Sequence, residues 1–148
     1  GNSNFNGWQL ADADWTARTE GLNRFVSAQN HYNLLYREEE REMIPLCLDQ
    51  GVGLIPWSPL ARGFLAGNRY QEGGGATLRA ENDPLADELY FRPSDFEVVK
   101  RVKTVAGRHG APGAGLGGVV ADGSFRCAHR GDGSDLALTE LRSDGIVV

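Results

Sequence analysis

Residues 52–60 read Val52-Gly53-Leu54-Ile55-Pro56-Trp57-Ser58-Pro59-Leu60, and residues 25–32 read Phe25-Val26-Ser27-Ala28-Gln29-Asn30-His31-Tyr32. Each is a short apolar run that breaks into polar and aromatic residues. That pattern predicts two buried strands, over 25–28 and 52–57. Between them runs Arg37-Glu38-Glu39-Glu40-Arg41-Glu42, followed by Met43, Ile44, Leu46, Cys47, Leu48 and then Gly51. Acid first and glycine last match the dipole and C-cap preferences of a helix, with the Glu38–Glu42 run as its solvated start. Pro45 is compatible only inside the first turn. Strand, helix, strand predicts a parallel sheet in an α/β fold, and in a barrel of such units the active site gathers where the strands end.

Working outward, residues 9–20 place Leu10, Ala13, Trp15 and Ala17 at helical spacing and stop at Gly21. Downstream, residues 68–93 read as loop, softest at Gly73-Gly74-Gly75, and a further helix is expected from Ser94 as N-cap through Phe96, Val98, Val99, Val102 and Val105 to about Arg108. The remainder differs in composition: 9 of the 20 glycines fall in residues 110–148, and no helical or strand period is sustained there. Two domains are therefore expected, a partial barrel over 1–109 and a poorly ordered glycine-rich tail over 110–148.

The 148 residues carry a formal net charge of −5, with 41% hydrophobic and 24% charged residues. No basic stripe is available to neutralise phosphates, so nucleic acid is excluded as a main partner. No apolar run is long enough for a membrane span, and a cytoplasmic location is the default. Cys47 lies between two leucines and reads as a buried core thiol, and Cys47 and Cys127 show no zinc-type spacing. No metal site is expected.

Three segments in order carry a family resemblance. Ser3-Asn4-Phe5 resembles the Ser-Asn-Phe motif of aldo-keto reductases, Gln29-Asn30-His31-Tyr32-Asn33-Leu34-Leu35 resembles their Gln-x-x-Tyr-Asn-Leu-Leu strand end, and Trp57-Ser58-Pro59-Leu60-Ala61-Arg62-Gly63 resembles their Trp-Ser-Pro-Leu loop. The branch resembled is that of bacterial reductases related to potassium-channel β subunits. The resemblance implies an incomplete (β/α)8 TIM barrel made of C-terminal strands and helices only. It implies NADP(H) as cofactor and a small-molecule carbonyl as substrate. Ser3, Asn4 and Gln29 match positions that hydrogen-bond the nicotinamide carboxamide, a neutral group needing both donors and acceptors. Trp57 matches the aromatic stacked on the nicotinamide. Ser58, Pro59, Leu60, Arg62 and Gly63 fall in the loop that wraps the pyrophosphate, and Arg69 or Arg79 is expected to contact phosphate. His31 is expected to line the nicotinamide pocket without acting as an acid.

The resemblance also implies what is missing. The family's catalytic tyrosine, with its supporting lysine, aspartate and histidine, lies upstream of Ser3-Asn4-Phe5, so no catalytic residue is assigned. Tyr32, Tyr36, Tyr70 and Tyr90 do not match that tyrosine. The expectation is a fragment, with a catalytically inactive product or a subunit completed by a separate N-terminal half as alternatives. In the tail, one compatible set of codons for Gly113-Ala114-Gly115-Leu116-Gly117-Gly118-Val119, shifted by one nucleotide, reads Ala-Gln-Val-Trp-Val-Ala-Trp, which resembles the family's next segment. An out-of-frame tail is expected on that ground. Gly113-x-Gly115-x-x-Gly118 also fits the dinucleotide fingerprint, but it lacks the preceding strand that motif requires.

Overall fold

The computed structural model describes residues 1–70, 75 and 83–108. Arg79, the fingerprint-like glycines and the whole 110–148 segment lie outside the described residues. Three short strands, β1 (Asn2–Ser3), β2 (Ser27–Gln29) and β3 (Gly53–Leu54), form one parallel sheet in chain order. Ser3 is the register partner of Gln29, and Ala28 that of Leu54. Strands β2 and β3 sit inside or beside the two apolar runs that predict them, and β1 lies outside any such run. Strand β2 lies two residues later than expected, because Val26 is 75% exposed and only its carbonyl joins the ladder, accepting from Gly53 N–H.

Helix α1 (Gly7–Thr19) begins where the Gln9 side chain turns back to accept the Asn6 N–H at 2.8 Å. It buries Leu10, Asp14 and Ala17 but turns Trp8 and Trp15 outward, against the expectation that Trp15 packs inside. Asp14 is buried because two cations hold it: Arg18 Nε donates to Oδ2 at 2.7 Å, and Arg24 binds the other oxygen while also donating to Gln50 O. Helix α2 (Met43–Gln50) ends at Gly51, whose φ of 68° makes the left-handed cap. Pro45 falls in its first turn, where no hydrogen bond is lost. The acidic run before it is not a plain solvated helix start. It forms a separate 3-10 turn over Glu38–Glu40, in which Glu40 accepts from Arg37 and Tyr32, and Glu39 from Asn30.

Leu10, Ala28, Met43, Cys47, Val52 and Leu54 close the core between the helices and one face of the sheet. Side chains alternate along a strand, so Ser3, Gln29 and Ile55 belong to the opposite face. There Ile55 is 47% exposed. A second core joins the 3-10 segment Ala61–Ala66 to helices α3 (Pro84–Leu89) and α4 (Pro93–Arg108), through Phe64, Leu65, Ala86, Val99, Val102 and Val105. Helix α3 falls in a stretch that reads as loop. Asp83 accepts the Ala86 N–H and Pro84 follows it, a helix start with an aspartate cap and proline in the first turn. Helix α4 starts at Pro93, which places Ser94 inside it; Asp95 does the capping, its Oδ2 accepting the Arg92 N–H at 3.0 Å.

Candidate nicotinamide and pyrophosphate site

Parallel strands deliver their C-terminal ends to one edge, and here those ends carry Asn4, Asn30-His31 and Trp57-Ser58. Ser3 Oγ donates to Gln29 O at 3.0 Å, and Asn4 N–H donates to the same carbonyl. The Trp57 indole N–H donates to Asn4 Oδ1 at 2.7 Å, which leaves the Asn4 amide nitrogen as a donor. The Gln29 side-chain amide makes no hydrogen bond among the described residues. Ser3, Asn4, Gln29 and Trp57, which lie up to 54 positions apart in the chain, are thus brought to one sheet end.

The indole ring is itself held. His31 stacks on Trp57 with ring centroids 4.1 Å apart, and Tyr36 stacks on His31 at 4.3 Å, all three rings nearly parallel. Behind them lies a buried polar knot. Asn33 Nδ2 donates to Ser58 O at 2.9 Å and to Tyr90 OH at 3.1 Å, and Tyr90 OH is 2.7 Å from His31 Nε2. Burial pushes His31 below its ordinary value and Tyr90 above its own. Asn33, Tyr36 and Tyr90 were not singled out by sequence reasoning. Asn33 lies within the quoted Tyr-Asn-Leu-Leu segment, which hints at it, whereas nothing local marks Tyr90.

The second half of the site is a bent loop. Ser58, Pro59, Leu60, Arg62, Gly63 and Asn68 line one open pocket. Asn4, Ser58, Ala61 and Arg62 all adopt positive φ without being glycine, a cost of about 1–3 kcal/mol each that persists where surrounding contacts over-determine the backbone. Gly63, at φ 91°, has a left-handed backbone that strains any side chain, and a Cβ there would displace the Asn68 amide. Asn68 Oδ1 is buried and makes no hydrogen bond. Arg62 is not free: its Nε donates to Asp83 Oδ2 at 2.5 Å. Arg69 does not line this pocket. Its guanidinium lies over the Phe91 ring at 4.6 Å and pairs with Asp87 at 3.5 Å. Among the described residues no group of three His, Cys, Asp or Glu could hold a metal ion, and no helix is long and apolar enough to cross a membrane.

Comparison with known proteins decides what this arrangement belongs to. Residues 1–116 match the model of the Aldo/keto reductase family. The chain belongs to that family. It is 46% identical over 108 residues to an aldo-keto reductase of Metarhizium robertsii and 47% identical over 105 residues to one of Alternaria alternata, covering 71% and 70% of this chain and 28% of each relative. It is 42% identical over 114 residues to the versiconal hemiacetal acetate reductase of Aspergillus parasiticus, covering 74% of this chain and 32% of the relative. The chain therefore spans about three-tenths of the length of these relatives. As an aldo/keto reductase family member it contributes part of a TIM barrel, and the three parallel strands with their outer helices are that part. The family is one of oxidoreductases acting on small-molecule carbonyl substrates.

Proposed function

We propose that this chain forms the nicotinamide and pyrophosphate portion of an NADP(H)-dependent carbonyl reductase. The observation that carries the reading is the convergence of Ser3, Asn4 and Gln29 beside the Trp57 ring. Asn4 Oδ1 already accepts the indole N–H, and the Asn4 amide nitrogen remains a donor for a bound group. Gln29 keeps both an acceptor and a donor. Together they complement a carboxamide, which presents one of each. Trp57 supplies a flat face that fixes the plane of a bound ring. The Ser58–Asn68 pocket suits the pyrophosphate, its loop bent at Gly63, whose φ of 91° is left-handed. NADP(H), when bound, supplies the hydride. The protein's share is to orient the ring and exclude water on one side of it. The proton donor of the reaction is not among the described residues, so complete catalysis requires the remaining barrel.

The test is a fluorescence titration with NADPH in a Trp8→Phe, Trp15→Phe background, where Trp57 is the sole indole. The expected result is saturable quenching, weakened about fivefold to tenfold by Gln29→Ala, the value of one hydrogen bond. Quenching absent from the parent, or unmoved by both Gln29→Ala and Ser3→Ala, overturns the assignment.

A further inference from the structure

Trp57 is not simply a ring at the end of a strand; its plane is determined by a neighbour. We propose that His31 is the positioning residue of the Trp57 platform, sandwiched between Trp57 and Tyr36 and anchored through the Tyr90 hydroxyl in its neutral form. The effect on cofactor affinity rests on the nicotinamide reading above; the stack itself does not.

The geometry around Asn33 points to one direction for the anchor. Asn33 Nδ2 has two protons: one goes to Ser58 O at 2.9 Å, and the other is shared between Tyr90 OH at 3.1 Å and His31 Nε2 at 3.2 Å, so the acceptors on offer include the ring nitrogen itself. Its Oδ1 accepts the Leu35 and Tyr36 N–H groups, which fixes the amide's orientation. With the Tyr90 oxygen accepting from Asn33, the Tyr90 proton points to His31 Nε2 at 2.7 Å. His31 Nε2 is then an acceptor, and the ring is neutral with its proton on Nδ1. A chain of donors from Asn33 through Tyr90 to His31 therefore locks the imidazole, and the imidazole locks the indole. The lock spans three segments far apart in sequence, one of which is the short stretch after α3.

Protonation is where this arrangement can be read. Glu38, Glu39 and Glu42 share the cavity beside His31, with Arg41 opposing them, and the faces of Trp57 and Tyr36 also favour a cation. Arg62 and Asp83 act on Tyr90 from behind. Against those acids stand burial and the proton already donated by Tyr90, and burial prevails, lowering His31. An imidazolium would bring a proton to Nε2, facing the Tyr90 proton, and break the chain of donors.

The experiment uses the full chain in the Trp8→Phe, Trp15→Phe background. Without cofactor, Trp57 emission is followed as pH falls, since a stacked imidazolium quenches an indole. The expected midpoint lies below 6.5, the ordinary histidine value. His31→Phe keeps a stacked ring and should abolish the midpoint; Tyr90→Phe removes the donated proton and should raise it. A midpoint at or above 6.5, or a profile unchanged in His31→Phe, overturns the proposal. At pH 8, NADPH affinity should fall roughly threefold to tenfold in His31→Ala and return in His31→Phe, the worth of one aromatic contact. Equal affinity in parent and His31→Ala also overturns it. If the parent binds no NADPH, the cofactor reading fails alone, and the emission profile still decides the role of His31.

Discussion

Asn4, Ser58, Ala61 and Arg62 hold left-handed backbone at the C-terminal ends of the strands, and single side chains there do more than their local sequence suggests. Arg62, matched to a phosphate-wrapping loop, spends its Nε on Asp83 and so binds the loop to α3. Cys47 is an opposite case, since its burial was legible from its apolar neighbours. Burial, and then the nearby Glu39, push its thiol up to about 11, so it stays protonated at neutral pH. Alkylation at pH 8 should leave the Cys47 peptide unmodified in native protein and modify it in denaturant, as peptide mass mapping would show; modification at equal rates contradicts the burial. Asp14 gives a pH dependence of definite sign. Its carboxyl is held below 3.8 by the Arg24 hydrogen bond first, against the opposing effect of burial, with Arg18 also lowering it. Its stabilising contribution is therefore fully present above pH 3.8 and is lost as pH falls through the lower folded value. Asp14→Asn should cost about 1 kcal/mol at pH 7, kept small by the half-exposed arginines, and should flatten the acid limb of a urea-denaturation series. An unchanged acid limb would remove Asp14 from the account.

At the scale of elements, the two strands, α2 and the glycine that ends it were legible because their signals are local. Apolar runs and a left-handed cap act within a few residues of one another, whereas the acidic run expected to start α2 forms its own 3-10 turn. Helix α3 was not, because six residues give too little periodicity to stand out from a glycine-rich surround. Its start signal, Asp83-Pro84, is visible only once sought. That aspartate caps the helix and pairs with Arg62, so Asp83→Ala removes two interactions at once. It should destabilise by roughly 2–4 kcal/mol and weaken NADPH binding, whereas the exposed Asp87→Ala should change stability by under about 0.5 kcal/mol. Thermal melts of both variants check this, and similar shifts for the two would rule it out. Phe64 is 1% exposed and meets Phe91 and Phe96 edge-on at 4.9 Å. Phe64→Ala should cost about 3–5 kcal/mol, against near zero for the exposed Leu22→Ala, read from urea midpoints.

For the whole molecule, among the described residues nothing pairs with the outer edges of β1 and β3, Ile55 is 47% exposed on the inner face of the sheet, and Trp8 and Trp15 stand 63% and 69% exposed on α1. A closed barrel covers such edges. Mixing this chain with the N-terminal portion of a family member should shift Trp8 and Trp15 emission to the blue and yield NADPH-dependent carbonyl reduction. A mixture with unshifted emission and no activity would refute completion in trans.

The sequence by itself determined the family, the parallel α/β order and the identity of the residues at the strand ends. Those depend on short motifs whose spacing along the chain survives without coordinates. Only the tertiary structure decided what these residues do to one another. Ser3 meets Gln29 through strand register, Trp57 is bonded to Asn4 and stacked on His31, and Tyr90 reaches back across 59 residues to anchor that histidine. The physical reason is range. Caps, turns and periodicity are fixed by neighbours along the chain, but a hydrogen bond or ring stack between distant segments exists only after the sheet has set their separation.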